Sequence, residues 1–202
     1  RIGTDGSVKD VWVNKVMKNH HGGVILLGDH LYGYSDGPGW ICQSWDTGEE
    51  GWIHAPYVCR AEEQYIMYYG GGPSADGDFQ ICAASSPEGI HFDRILNADG
   101  TSGMFTGPCV ARDPMVIRHG SDHIIYYAAD EDGTGVIAAR TAPDPVGTAW
   151  SDYRVVSRGG FCGVERASQQ CPFVIQLEGY FYLFKMAGSH LYRTGVYRSE
   201  DP

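Results

Sequence analysis

Nowhere in the 202 residues does an apolar run approach the roughly 20 residues that span a bilayer, so no membrane partner is expected. Basic residues are also scarce. Fifteen Lys and Arg stand against 25 Asp and Glu, for a formal charge of −10. Nucleic-acid binders cluster Lys and Arg to neutralise phosphates, so no nucleic-acid partner is expected either. Six cysteines (Cys42, Cys59, Cys82, Cys109, Cys162, Cys171) are spread along the chain without a C-x-x-C pair. Metal-site spacing is therefore missing. His20-His21 has no third ligand at a useful distance, and no metal site or cofactor is expected. The cysteines read mostly as buried small hydrophobes, with one or more disulfides as the alternative. The chain opens on Arg1 without methionine or signal peptide and stops at Pro202; both ends are expected to be cuts through a longer protein.

What the chain has is 43% hydrophobic and 12% aromatic residues, enough for one domain, or one and a fraction, with a real core. It also repeats itself. The segments "APYVCRAEEQYIMYYGGG" (55–72), "DPMVIRHGSDHIIYYAADEDG" (113–133) and "CPFVIQLEGYFYLFKMAG" (171–188) align on Pro56, Pro114 and Pro172, each 58 residues after the last. Every unit runs proline, short apolar strand, polar turn, aromatic strand. A third strand follows at 79–92, 135–150 and 194–202. Alternating aromatic and β-branched residues exclude a helical repeat. Short strands in units of this length, with Gly and Asp turns, predict an all-β fold built of β-propeller blades; a sandwich or solenoid is the alternative. The doublets Tyr68-Tyr69 and Tyr126-Tyr127, with Tyr180 and Tyr182, fall at strand spacing and are expected to pack between blades.

Residues 1–50 differ in texture. "HHGGVILLGDHLYGYSDGPGWICQSWDTGEEGW" also reads strand, turn, strand, in a shorter unit. Its Asp46-Thr47-Gly48-Glu49, followed by Trp52, resembles a repeat of the quinoprotein-type propellers, although D-x-T-G is equally a tight-turn sequence. The division expected is a short propeller-like repeat at 1–50 and three blades at 51–202.

Those three blades open on "WIHAPYV" (52–58), "ARDPMVI" (111–117) and "QQCPFVI" (169–175). In that order they resemble the five-bladed propeller glycoside hydrolases of the family 43 and family 32 type. The resemblance implies a five-bladed propeller, present here as an incomplete arc of about four blades, open and marginal alone, with the protein continuing beyond Pro202. It implies a protein acting on or binding oligo- or polysaccharide of arabinoside or xyloside type at the propeller axis. A non-catalytic carbohydrate-binding or interaction propeller is the alternative. It further implies a secreted or periplasmic location.

The same resemblance assigns roles. Glycosidic hydrolysis needs one carboxylic acid to protonate the leaving oxygen and one carboxylate to activate water or attack. Asp113 fits the orienting, pKa-tuning carboxylate, and Arg112 beside it could bind that group or a substrate hydroxyl. The acid position, two before Pro172, is Gln170, which hydrogen-bonds but cannot act as an acid. Glu165 is the nearest carboxylate to it. No first-blade base is found: Asp29, Asp36 and Asp46 all sit in turn contexts. His54, next to Ala55-Pro56, would bind a sugar hydroxyl or act as a base near neutral pH. Trp40, Trp52, Tyr57 and Phe173 are the aromatics whose ring faces could meet sugar C–H surfaces.

Overall fold

In a computed structural model of the chain, the structure describes residues 24–27, 30–35, 39–44, 52–72, 79–98, 100–147, 149–187 and 193–202. These hold fifteen strands, a single-turn 3₁₀ segment at Gly160–Cys162 and no α-helix. The chain divides into two compact units. The smaller contains β1 (Ile25–Leu27), β2 (His30–Ser35) and β3 (Gly39–Ser44), an antiparallel meander with Ile25 opposite Tyr32 and Tyr34 opposite Trp40. The turn residues Asp29, Asp36 and Asp46, the Thr47-Gly48-Glu49 stretch, His20-His21 and the side chains of Trp40 and Trp52 lie outside the described residues.

The larger unit, His54–Gly71 with Asp78–Pro202, is a stack of three sheets, each a meander in chain order. The first contains β4 (Trp52–Ala61), β5 (Gln64–Gly72), β6 (Gln80–Ser86) and β7 (Asp93–Arg94), with β8 (Gly103–Phe105) also paired to β6. The second contains β9 (Ala111–His119), β10 (Asp122–Glu131), β11 (Thr134–Ala142) and β12 (Arg154–Arg158). The third contains β13 (Gln169–Leu177), β14 (Tyr180–Ala187) and β15 (Thr194–Ser199). These sheets are propeller blades, and the 58-residue period is the step from one to the next.

Blades stack because the middle one is apolar on both faces. Ile125, Tyr127, Ala129, Val136 and Ala138 pack on Ile66, Tyr68, Ile81 and Ala83 of the first blade. Their neighbours Ile124, Tyr126, Ala128, Ile137 and Ala139 pack on Val174 and Phe181 of the third. Successive residues of a strand face opposite ways, so a sheet covered on both sides reads as a continuous apolar run, here "IIYYAA". Each fully buried aliphatic side chain contributes about 1.5–3 kcal/mol through its removal from water. The Tyr126-Tyr127 doublet thus splits between two interfaces, and Tyr68 packs at the first of them. Tyr126 turns to the third blade and Tyr127 to the first.

Two features hold the entry to the third blade in place. Gly135 of β11 donates its N–H to the Glu165 carbonyl at 3.0 Å. A Cβ there would meet Ser168 N at 2.7 Å, so only glycine lets the 163–168 loop lie against the second blade. Gln169 is fully buried, and its amide donates to the Gly159 and Gly163 carbonyls, both at 3.1 Å. Lys185 Nζ, also buried, donates to Gln169 Oε1 and to Ser157 Oγ (2.7 Å), and burial lowers its pKa. The loop that leads into β13 is thereby pinned from both ends.

Candidate functional site

The residue before each repeated proline has a left-handed backbone: φ is 45° at Ala55, 53° at Asp113 and 49° at Cys171. Proline pushes its predecessor out of the right-handed helical region, and a non-glycine residue at positive φ costs roughly 1–3 kcal/mol. The pairing explains how the strands accommodate it. Arg112 lies opposite Ala128 and Met115 opposite Tyr126, so Asp113 and Pro114 together face Tyr127 alone. Gln170 lies opposite Met186 and Phe173 opposite Phe184, leaving Cys171 and Pro172 against Lys185. Both are β-bulges. A bulge tolerates the missing proline N–H and re-aims the side chain of its first residue.

At Asp113 that re-aiming joins three blades. The side chain is only 6% exposed. Its Oδ2 accepts the Cys171 N–H at 3.1 Å, and Oδ1 faces His54 Nδ1 at 3.6 Å. Burial raises the Asp113 pKa, but His54, the Cys171 N–H and the Arg112 guanidinium together outweigh it and hold the carboxyl below the usual range. Conversely, the Asp113 carboxylate outweighs the burial of His54 and raises the imidazole pKa. The pair is therefore a buried carboxylate and a half-exposed imidazole whose protonated form that carboxylate favours.

Cys171 Sγ lies 3.8 Å from Asp113 Oδ2. Burial and the adjacent carboxylate push its pKa up to about 11, so at neutral pH it is a thiol and not a nucleophilic thiolate. The expectation that the cysteines are mostly buried holds for Cys82 and Cys162 but not for Cys109 and Cys171, which are exposed at left-handed turn and bulge positions. The five described cysteines are free thiols. Among the described residues, no group of three or more His, Cys, Asp or Glu is placed to hold a metal ion.

Arg112 turns away from Asp113. Its Nη1 is 3.7 Å from Asp130 Oδ2, and its Nη2 is buried without a hydrogen-bond partner. Asp130, 2% exposed at the end of β10, also accepts the Ala167 N–H at 2.7 Å and faces Arg166 Nε at 3.4 Å. Gln170 is half-buried and donates weakly to the Ala167 carbonyl at 3.4 Å. Glu165 is exposed and contributes its backbone carbonyl to Gly135 and Ser168. Phe173 is 47% exposed, with its ring 6.3 Å from that of Phe184. Tyr57 packs against both core clusters, and burial raises its phenol pKa.

His54, Asp113 and Cys171 thus meet directly, with Arg112 and Gln170 adjoining them in the chain. Asp130, Arg166 and Cys171 were not singled out from sequence. Asp130 had a signal: the residues 58 before and 58 after it are Gly72 and Gly188, so its carboxylate is peculiar to one repeat. A cavity of about 480 Å³ between the second and third blades, floored by Tyr126, Val174, Phe181 and Leu183, holds none of these groups. The ionisable cluster, not the larger void, is the place where chemistry is concentrated.

The fold is that of the five-bladed propeller glycoside hydrolases. No protein-family profile matches the chain, and no curated protein matches it by sequence. Among solved structures it is similar to a thermostable family-43 glycoside hydrolase, with a TM-score of 0.62 and 18% identity over 89% of this chain and 68% of that one. It is also similar to the GH32 β-fructofuranosidase BmSUC1 of Bombyx mori, with a TM-score of 0.59 and 15% identity over 85% and 43% of the two chains. The Bacteroides ovatus protein "Xyloglucan PUL GH43B" gives a TM-score of 0.53 and 15% identity over 94% and 40%. The chain therefore spans about two thirds of the first structure and less than half of the other two. At these identities the likeness establishes the fold alone.

Proposed function

We propose that the chain is a glycoside-hydrolase-like propeller that binds oligo- or polysaccharide of arabinoside or xyloside type where β4, β9 and β13 begin. The observation that carries this reading is Asp113, an ionised carboxylate buried to 6% exposure and tied to the blades on either side. A carboxylate fixed in this way is pre-organised to accept sugar hydroxyls. His54 supplies a donor, Arg112 holds the floor, and Phe173, with Tyr57, supplies ring surface for sugar C–H faces.

Binding is favoured over hydrolysis because the donor slot is empty of acid. Gln170 has no proton to give, and a thiol with pKa near 11 at Cys171 gives one far too reluctantly. Hydrolysis is the second reading, and one observation favours it: the His54 imidazole, its pKa raised by Asp113, faces that carboxylate at 3.6 Å and can carry a proton. Calorimetry with arabino- and xylo-oligosaccharides, beside a panel of nitrophenyl arabinosides and xylosides, tests both. Binding that is lost in Asp113→Ala without turnover supports the first reading. Turnover that disappears in both Asp113→Ala and His54→Ala supports the second. No binding and no turnover with any sugar sinks both. In Gln170→Glu a binding protein with a lost acid gains hydrolysis, by about a hundredfold over the parent chain.

A further inference from the structure

One buried carboxylate serves two guanidinium groups beside the proposed site. Asp130 Oδ2 faces Arg112 Nη1 at 3.7 Å and Arg166 Nε at 3.4 Å, and Oδ1 is taken by the Ala167 N–H. Two guanidinium groups share the single Asp130 carboxylate, a local excess of one positive charge in a chain whose net charge is −10. Glu165, next in sequence to Arg166, does not restore the balance. Its carboxylate lies against Gly163, and Asp130 is the ion-pair partner of Arg166 among the described residues. Two donors remain uncommitted. Arg112 Nη2 is buried without a partner, although Arg112 is only 12% exposed. Arg166 is 62% exposed, and beyond its Nε the outer nitrogens of its fork are open to solvent.

A buried guanidinium nitrogen without an acceptor is costly, and a ligand oxygen satisfies it. We propose that the Arg112–Arg166 pair receives the carboxylate of an acidic sugar, a uronic acid, carried on the glycan held at Asp113. This rests on the carbohydrate reading given above. A carboxylate fits better than a phosphate for two reasons. The excess is a single charge, whereas a phosphate monoester brings about −1.5 to −2. The planar arginine fork also matches the two oxygens of a carboxylate. Gln170 and Cys171, neutral at neutral pH, add no negative charge to the cluster. Asp113 itself repels an acidic group, which places the carboxylate on the Arg166 side and a neutral ring over Asp113.

The test is calorimetric binding to the full chain of a xylo-oligosaccharide bearing one glucuronic acid, against the same oligosaccharide without it, at low and high salt. Tighter binding of the acidic ligand by about tenfold or more at low salt is expected, narrowing at high salt. In Arg166→Gln that preference falls to within about twofold, and Arg166→Lys restores part of it. Arg166 is exposed, so these variants keep the fold, and an unchanged melting curve verifies it. Equal affinity for the two ligands overturns this inference and leaves the carbohydrate reading standing. So does a preference that survives Arg166→Gln, or inorganic phosphate competing as effectively as glucuronate. If neither oligosaccharide binds, the carbohydrate reading fails and this inference falls with it.

Discussion

Replacing Asp113 with asparagine, and separately with alanine, isolates what the buried carboxylate contributes. Asparagine keeps the size of the side chain and tolerates the left-handed φ of 53°. It turns the charge-assisted bond from the Cys171 N–H, 3.1 Å long, into a neutral one, a loss of about 1 kcal/mol. The ion pair with His54 involves a half-exposed imidazole, so after solvent screening it contributes about 0.5 kcal/mol. Burying a neutral amide in place of a carboxylate offsets part of both, so the net cost at pH 5.5 is about 1 kcal/mol. Alanine removes the acceptor altogether and places a Cβ-bearing residue with no compensating polar group in the left-handed region. That totals about 3 kcal/mol.

The sign of the pH dependence follows from the two shifts. Asp113 has a folded pKa below its ordinary 3.8, so its contribution is complete above that value and is lost as pH falls through the folded pKa. His54 has a folded pKa above 6.5, so its contribution is complete below 6.5 and is lost as pH rises through the folded value. The gap between parent and Asp113→Asn is therefore widest between pH 4 and 6.5, and it narrows on both sides. Urea unfolding at about pH 3, 5.5 and 9 measures it directly. A gap that stays constant with pH, or an alanine variant no worse than the asparagine one, refutes the account of Asp113 as an ionised, strained and bonded residue.

In a proton NMR titration, the His54 ring is expected to titrate above 6.5 and to return towards that value in Asp113→Asn; an unchanged midpoint would remove the ion pair from the account. Asp130→Ala leaves the buried Arg112 without its counter-charge and the Ala167 N–H without an acceptor, so a loss of about 3–5 kcal/mol in urea unfolding is expected, and less than about 1 would contradict it. Cys171, although exposed, should alkylate slowly with iodoacetamide at pH 8 because its pKa is pushed up to about 11. It should alkylate faster in Asp113→Asn, and an indifference to that substitution would show that the carboxylate does not hold the thiol proton.

The blades were legible because their signals are local and repeated. Prolines at fixed spacing, polar turns and "IIYYAA"-type runs each have one physical reading, and the structure places them in three stacked sheets. The Tyr126-Tyr127 doublet was legible for the same reason, since adjacent residues of a covered strand must serve opposite faces. What the pattern could not supply was the conformation at the prolines. Nothing in "RDP" or "QCP" announces a bulge, because the bulge is counted against a partner strand and not along its own. Without it, Asp113 would be assigned to one face of β9, and its reach to Cys171 in the next blade would be invisible. Asp130 was missed because it ends a strand in a sequence, "ADEDG", where acidic residues are expected in turns.

The same geometry explains how one backbone device serves unlike side chains. The residue before each proline is Ala55, Asp113 and Cys171 in turn, and the residue before that is His54, Arg112 and Gln170. All three pre-proline residues have φ within a few degrees of 50°. Strain of that kind persists only where the surroundings over-determine it, and here the surroundings are the repeat itself. The scaffold therefore does not record which residue it carries: alanine, with no functional group, is held in the same conformation as the buried carboxylate. Six residues, two in each repeat, differ on this common backbone, and fold likeness alone cannot report what they do. Gln170 shows the consequence. It occupies the position that the resemblance assigns to a proton donor, yet its amide spends a long 3.4 Å bond on the Ala167 carbonyl. On the reading proposed above, a carboxylate at this position would return the proton donor, while no first-blade carboxylate has been found to act as the base.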